Sequence, residues 1–133
     1  MHHLNTMHHM KDRVDVLIVD DDDNFRAILG EVLKAEGCTV REATDGRQAL
    51  EMVHARVPDL ILTDLMMPTM TGWELRAELG RSELFARVPV AVVSGLARSL
   101  PGGALALSKP VQLSELLALL ESVLPDGGST ARN

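Results

Sequence analysis

The sequence predicts an α/β fold in which a five-stranded parallel sheet carries helices on both faces. Short apolar segments rich in valine, isoleucine and leucine alternate with segments whose apolar residues recur at helical spacing. Turn formers such as Gly37 and Pro58 separate the segments. This alternation favours parallel strands joined by right-handed helical crossovers. The length of 133 residues is that of a single domain.

The first half of the chain contains three predicted strands and two predicted helices. The strands are Val14 to Val19, Cys38 to Ala43 and Leu60 to Thr63. The first helix ends at Gly37, is capped by Asp22 or Asp23, and faces the core with the stripe Phe25, Ile28, Leu29, Val32 and Leu33. Asp45-Gly46 is interpreted as a turn. The second helix carries Ala49, Leu50 and Val53 and ends before Pro58.

The second half predicts two helices and two strands. Gly72 to Leu79 is a short helix with Trp73 packing at its start, and the strands are Pro89 to Ser94 and Ala104 to Ser108. The last helix, Leu113 to Leu124, faces inward with Leu116, Leu117, Leu120 and Leu124. Gly95, Pro101, Gly102 and Gly103 argue against a full helix between the last two strands.

Composition restricts the classes of function. A formal charge of −6 provides no basic surface for nucleic acid or anionic membrane. No apolar run approaches the ~20 residues of a membrane span, and no signal-peptide pattern precedes the first strand, so we expect a cytoplasmic protein. The single cysteine, Cys38, is interpreted as a small buried strand residue. We expect one domain over residues 13–124, a disordered His-rich leader or tag remnant over 1–12 and a disordered tail over 125–133.

Polar side chains follow four of the five predicted strands. They are Asp20 and Asp21, then Asp64, Ser94 and Lys109. The carboxyl ends of parallel strands meet at one edge of the sheet, so these groups are expected to lie together. Three neighbouring carboxylates repel one another unless a cation neutralises them, and Mg²⁺ suits an all-oxygen cluster. An adjacent hydroxyl and ammonium would bind phosphoryl oxygens. The arrangement predicts phosphoryl transfer onto an aspartate.

These motifs together resemble the receiver domain of two-component response regulators. The resemblance rests on Val19-Asp20-Asp21, on Asp64 with Met67-Pro68, on Ser94 and on Lys109-Pro110, and it covers Val14 to about Leu124. It implies a flavodoxin-like strand order of 2-1-3-4-5, which is the known order of this family. It also implies a cis peptide bond between Lys109 and Pro110, which is uncommon for X-Pro bonds in general.

The resemblance further implies a role for each site residue. Asp64 is the phosphoacceptor, and Mg²⁺ is held by Asp20, Asp21, Asp64 and the backbone carbonyl of Met66. Ser94 is the switch hydroxyl, and Lys109 pairs with the acceptor and later with the phosphoryl group. The implied partners are a histidine kinase or phosphotransfer protein and a downstream protein target. We expect a receiver that stands alone and is not an enzyme, although it assists its own phosphorylation and dephosphorylation.

Three features of the sequence depart from the family pattern or bear on turnover of the phosphoryl group. Lys109 lies only 15 positions after Ser94, fewer than the family usually has, so the helix before the last strand is expected to be shortened or missing. The aromatic residue that the family carries three positions before the lysine is Ala106 here. In the family, side chains two residues after the acceptor and after the hydroxyl flank the path of the attacking water. They are Met66 and Leu96 here, both apolar.

Other interpretations of the acidic residues stay open at this stage. Asp20 to Asp23 could be only the acidic start of a helix, and Asp64 only a capping group. Asp20 to Asn24 also resembles the Asp-x-Asp motif of haloacid-dehalogenase-type phosphatases, in which Asp20 would be the nucleophile. A pseudo-receiver, which keeps the fold as a protein-interaction module without regulated phosphorylation, is the principal alternative.

Overall fold

The computed structural model describes residues 13–96 and 105–123. Within these residues the strands are β1 (Asp15–Val19), β2 (Thr39–Ala43), β3 (Leu60–Asp64), β4 (Val90–Ser94) and β5 (Ala106–Ser108). The helices are α1 (Asp23–Ala35), α2 (Gly46–Ala55), α3 (Gly72–Gly80) and α4 (Leu113–Val123). The predicted elements are all present, with boundaries that differ from the predicted ones by one or two residues.

The five strands form one parallel sheet in the order β2-β1-β3-β4-β5. The prediction of a parallel sheet in the 2-1-3-4-5 order is therefore confirmed. The three inner strands, β1, β3 and β4, are almost entirely buried, because helices cover both faces of the sheet. The apolar composition of the segments predicted as strands reflects this burial on both sides.

Alternate residues of the central strands supply two separate cores. Val16 and Ile18 of β1 pack with side chains of α1 and α4 on one face of the sheet. Leu17 and Val19 pack with side chains of α2 and α3 on the other face. Successive strand residues point to opposite faces, so a continuous apolar strand can serve both cores at once.

The strand register decides which residues meet at the carboxyl edge. Val19 of β1 lies opposite Thr63 of β3, so the residues that follow, Asp20 and Asp64, emerge side by side. On the other side of β3, β4 ends at Ser94, which lies opposite Ser108 of β5. Lys109 follows directly after β5. The register alone thus brings the predicted site residues to one edge.

Side-chain caps begin three of the helices. The carboxylate of Asp22 accepts hydrogen bonds from the backbone of the next turn, which confirms Asp22 as the cap of α1. Thr71 and Glu74 form a reciprocal capping box at the start of α3. The interpretation of Asp45-Gly46 as a turn was wrong. Asp45 caps α2 and Gly46 is its first residue, because an Asx side chain that favours a turn also satisfies the free N–H groups of a helix start.

Two predictions of helix burial need correction. Ile28 is 66% exposed, although it was assigned to the buried stripe of α1. It lies about 100° around the helix from the buried Leu29, which takes it beyond the face that contacts the sheet. On α4 the sheet-facing side includes Leu119 as well as Leu116 and Leu120, because this helix presents a wider apolar face than predicted. Trp73 is partly buried at the start of α3, as predicted.

Several predictions fall on residues outside the described ranges. They concern the leader over 1–12, the tail over 125–133 and the orientation of Leu124. Of the segment between β4 and β5, the structure describes Gly95 and Leu96, which form a turn, and Leu105; the rest of that prediction falls on residues 97–104. Over residues 13–96 and 105–123, none of the helices combines the length and the apolar character that crossing a membrane requires.

Candidate functional site

Three carboxylates meet at the carboxyl edge of the sheet. Asp20, Asp21 and Asp64 each place one oxygen within 4.8 Å of the others. Asp20 is almost fully buried, Asp64 is partly buried and Asp21 is exposed. The cluster therefore has a fixed inner member and a solvent-facing side, which leaves a path for a ligand to reach Asp64.

Backbone amides fix the orientation of the two inner carboxylates. The N–H of Asp22 donates to Oδ1 of Asp20 at 2.9 Å, and the N–H of Leu65 donates to Oδ1 of Asp64 at 2.8 Å. Each bond joins a carboxylate to the first residues beyond its strand. The turns after β1 and β3 thus hold the side chains in place, and the second oxygen of each carboxylate stays available for other contacts.

Lys109 brings the only cationic side chain that pairs with the carboxylates of this cluster in the described part of the chain. Its Nζ lies 3.2 Å from Oδ2 of Asp20 and 3.8 Å from Oδ1 of Asp64. The same Nζ lies 4.3 Å from the centre of the Phe25 ring. These contacts direct the ammonium toward the cluster, although the side chain is still 30% exposed.

Ser94 completes the edge between β3 and β5. Its hydroxyl oxygen accepts a hydrogen bond from the N–H of Leu96 at 3.0 Å, and its backbone carbonyl accepts one from the N–H of Lys109 at 3.1 Å. Within residues 13–96 and 105–123 its hydroxyl proton has no acceptor. That proton can be donated to a ligand. The peptide bond between Lys109 and Pro110 is cis, as the resemblance implied.

The electrostatics of the cluster favour a proton or a cation at Asp64. Burial raises the pKa of the Asp64 carboxyl above its ordinary value, and the charges of Asp20 and Asp21 raise it further. The ammonium of Lys109 and the N–H of Leu65 act in the opposite direction, but they do not cancel the effect. One lysine facing three carboxylates leaves an excess of negative charge.

This donor set fits a hard divalent cation. All side-chain donors in the cluster are carboxylate oxygens, two or three of which can face one ion, and Mg²⁺ takes a small number of carboxylates together with water or phosphate oxygens. The excess negative charge supplies the attraction. Met66 lies in the loop directly after β3, and its backbone carbonyl stays a predicted ligand.

Comparison with known proteins addresses the family. Residues 16–121 match the family described as "Response regulator receiver domain". The chain belongs to the response regulator receiver family.

Relatives of this receiver include whole small proteins and parts of large ones. It is 30% identical over 126 residues to protein PilG of Pseudomonas aeruginosa, covering 90% of this chain and 93% of that protein. It is 44% identical over 85 residues to the gliding motility regulatory protein of Myxococcus xanthus, a match that covers 64% of this chain but only 11% of that protein. The chain thus spans a small part of some relatives and nearly all of others.

Solved receiver structures share the fold. The receiver domain of a sensor histidine kinase from Pseudomonas aeruginosa is similar with a TM-score of 0.75 and 26% identity, covering 84% of this chain and 98% of that one. Its crystal structure has a magnesium ion coordinated in the active-site cleft. The acidic cluster of the present receiver fits the same ion by the chemistry of its own donors.

Two residues that support the site were not singled out by sequence analysis. Arg26 of α1 donates through Nη1 to the backbone carbonyl of Asp20 at 2.7 Å and through Nε to Oε1 of Glu42 at 3.0 Å. Phe25 was assigned only to the core, yet its ring faces Lys109. A single arginine or phenylalanine in the first turns of a helix gives no sequence signal for such a role, because only the packed fold brings it to the strand end.

One predicted departure from the family is visible in the structure. Ala106 is a partly buried residue of β5 opposite Val92, so an alanine methyl occupies the position of the family's aromatic ring. Ser94 and Lys109 nevertheless lie at the ends of their strands as in a complete receiver site. The residues predicted to handle the phosphoryl group are therefore present at this edge, and the aromatic side chain is not.

Proposed function

We propose that this receiver accepts a phosphoryl group on Asp64 from a histidine kinase or phosphotransfer protein. The signal then passes to a protein target whose binding depends on phosphorylation. One observation carries this proposal: the ammonium of Lys109 lies within 4 Å of both Asp20 and Asp64, at an edge where a third carboxylate and the hydroxyl of Ser94 also converge. A structural ion pair would need one carboxylate, whereas phosphoryl transfer to aspartate needs this whole set.

Asp64 is the nucleophile because it is the inner carboxylate with the most access to solvent. Its side chain is 18% exposed, whereas that of Asp20 is 2% exposed. One carboxylate oxygen attacks phosphorus, and the bond from phosphorus to the donor atom breaks as the acyl phosphate forms. For a phosphohistidine donor this is the P–N bond, and its electron pair leaves on the imidazole nitrogen, which takes a proton.

Lys109 and Ser94 stabilise the transferred group. The ammonium already contacts Oδ1 of Asp64, so it pairs with a phosphoryl oxygen after a small movement of a flexible side chain. The Ser94 hydroxyl already accepts a hydrogen bond from Leu96, which leaves its proton for a second phosphoryl oxygen. Both groups sit on strand ends, so little reorganisation accompanies the transfer.

Asp20, Asp21 and the carbonyl of Met66, together with Asp64, are the proposed ligands of Mg²⁺. When bound, the ion supplies positive charge that neutralises the carboxylates and the oxygens of the phosphoryl group. Asp20 is held for this task by the N–H of Asp22 and by Arg26. Asp21 is exposed and completes the set from the solvent side.

Mass spectrometry of the intact protein tests the proposal. After incubation with acetyl phosphate and Mg²⁺, we expect one added phosphate in the wild-type protein, none in Asp64→Ala and none when Mg²⁺ is replaced by EDTA. A phosphate that persists in Asp64→Ala but disappears in Asp20→Asn would instead support the phosphatase alternative. If no phosphate is added under any condition, the proposed phosphoacceptor role is refuted.

The pseudo-receiver alternative has one observation in its favour. Ala106 replaces the aromatic side chain with which the family couples its hydroxyl to the surface, so the family's usual link from phosphorylation to partner binding is missing here. The complete set of Asp64, Ser94 and Lys109 favours the active receiver over it. Absence of phosphate uptake in the experiment above would select the pseudo-receiver.

The proposed function also implies a biochemical role and a cellular location for this receiver. As a signalling domain, this receiver would assist its own phosphorylation and dephosphorylation without acting on a separate substrate. Its charge of −6 argues against direct binding of nucleic acid or anionic membrane and for a protein target. A cytoplasmic location is proposed because histidine kinases phosphorylate their receivers there.

A further inference from the structure

We infer that Gly72, the first residue of α3, is a positioning residue that sets the location of Asp64. The inference rests on the proposed function, because it assigns the position of the acceptor to a glycine outside the charged cluster. It concerns two contacts, one steric and one a hydrogen bond, between the start of α3 and the peptide units around Asp64.

The steric contact leaves space only for hydrogen. A Cβ atom at Gly72 would lie 2.7 Å from the backbone carbonyl oxygen of Asp64, 3.3 Å from Cγ2 of Thr63 and 3.4 Å from Cα of Leu65. The closest of these atoms belongs to the backbone of the acceptor residue and cannot rotate away. Any larger side chain must therefore displace either the carboxyl end of β3 or the start of α3.

The hydrogen bond ties the same two segments together. The N–H of Gly72 donates to the carbonyl of Leu65 at 2.8 Å. This peptide unit directly follows Asp64 and directly precedes Met66, whose carbonyl is the proposed backbone ligand of Mg²⁺. Gly72 thus holds both the acceptor and the loop that carries the additional ligand.

The start of α3 is itself rigid, so displacement would fall on Asp64. Thr71 and Glu74 close a capping box with bonds of 3.0 and 2.8 Å, and Leu75 and Leu79 bury the helix against the sheet. By contrast, the close neighbours of the other helix-starting glycine, Gly46, all belong to Met70, with Sδ at 2.7 Å and Cβ at 2.9 Å. A methyl group at Gly46 would therefore displace Met70, whereas one at Gly72 meets the backbone of the acceptor residue itself.

Small displacements of a reacting group have large effects on rate. A shift of about 1 Å can cost on the order of 100-fold when the reaction depends on alignment. We expect Gly72→Ala to lower the rate of phosphorylation by acetyl phosphate at saturating Mg²⁺ by about tenfold or more, and to weaken Mg²⁺ binding measured by calorimetry without phosphodonor.

Two variants of the same helix serve as controls. Gly80→Ala adds the same methyl group at the end of α3, where no atom lies within 4 Å, and should leave both quantities within about twofold of wild type. Thr71→Val removes the cap and lowers stability without adding an atom near Asp64, while the buried Leu75 and Leu79 still hold the helix against the sheet. It should be less stable than wild type in urea unfolding while keeping the phosphorylation rate within about twofold of wild type.

The outcomes separate this inference from the proposed function. If wild type is phosphorylated and Gly72→Ala reacts within twofold of it, or Thr71→Val loses as much rate as Gly72→Ala, positioning by Gly72 is refuted and the phosphoacceptor role stands. If wild type takes no phosphate but binds Mg²⁺, weaker binding by Gly72→Ala still supports the inference and unchanged binding refutes it. A wild-type protein that takes up neither contradicts both.

A second variant covers the case in which Gly72→Ala does not fold, as judged by circular dichroism. The double variant Thr63→Ser with Gly72→Ala removes the methyl group at 3.3 Å and keeps the hydroxyl that donates to the carbonyl of Asp64. We expect this protein to fold and to be slow in phosphorylation compared with Thr63→Ser alone. Equal rates for these two proteins would refute the inference.

Discussion

Replacement of Asp64 by asparagine should stabilise this receiver at neutral pH when Mg²⁺ is absent. The amide keeps the shape of the side chain and an acceptor for the N–H of Leu65, but it removes one negative charge from the cluster. Asp20 places an oxygen within 4.8 Å of Asp64. At about this distance two like charges repel by about 1 kcal/mol in water and by up to about 4 kcal/mol at an effective dielectric constant of 20.

Lys109 offsets part of this repulsion from 3.8 Å away. The pKa of Asp64 is nevertheless raised, so burial and repulsion outweigh the attraction and the ionised form opposes folding. We expect the free energy of unfolding of Asp64→Asn to exceed that of wild type by about 1 kcal/mol at pH 7. This is the difference that remains after the attraction by Lys109 is subtracted from the repulsion by Asp20. The melting temperature should rise by about 4 °C.

The pH dependence follows from the sign of the pKa shift. Because the folded carboxyl holds its proton more tightly than the unfolded one, the stability of wild type relative to the variant falls as pH rises from the ordinary Asp value, 3.8, through the raised value. The advantage of asparagine is therefore complete above the raised pKa and disappears near pH 4. Added Mg²⁺ should stabilise wild type more than the variant, because the proposed site exists only in the folded protein and loses one carboxylate in the variant.

Urea unfolding followed by the fluorescence of Trp73, the single tryptophan, measures these differences. The series runs from pH 8 to pH 4 in EDTA and is repeated in Mg²⁺. Glu51→Gln removes the same charge from an exposed position on α2, outside the cluster, and serves as the control. The reasoning is refuted if Asp64→Asn is no more stable than wild type at pH 7, or if its advantage does not change with pH.

Two other predictions concern the metal and the lifetime of the phosphoryl group. Asp21→Ala should weaken Mg²⁺ binding by roughly tenfold or more and slow phosphorylation of Asp64, because a site with few protein ligands loses one of them. A Mg²⁺ titration that matches wild type would show that Asp21 is not a ligand. Met66 and Leu96 are 65% and 59% exposed beside the site and cannot orient water, so autodephosphorylation should be slow, and Met66→Asn or Leu96→Glu should accelerate it by about one to two orders of magnitude. Decay of radiolabelled aspartyl phosphate at the same or a lower rate in either variant would contradict this role for the two side chains.

The sequence predicted the fold well because its signals are local. The apolar strands and the helical stripes follow from burial on one or two faces, and their alternation leaves few possible topologies. The errors occurred where two structures share one local signal. Asp45-Gly46 satisfies a turn and a helix start equally well, and Ile28 belongs to an apolar stripe whose buried width depends on the neighbouring elements.

The sequence by itself determined which chemical groups this receiver carries and at which strand ends they stand. Each strand concerned is predicted from its own apolar composition. Asp64 and Ser94 end their strands, and Asp20 and Lys109 follow directly after theirs. Polar groups at strand ends that share one edge of a parallel sheet can then be assigned to a single site.

Only the tertiary structure decided how these groups are supported. Three contacts support the site. They are the contact of Lys109 with Phe25, the hydrogen bond from Arg26 to the carbonyl of Asp20 and the close approach of Gly72 to Asp64. Each joins two elements that meet only in the packed fold. Their partners are backbone atoms and aromatic faces, which are present in every stretch of chain and leave no pattern. The packing of the two cores and the strand register decide which of these atoms and faces come into contact with the site.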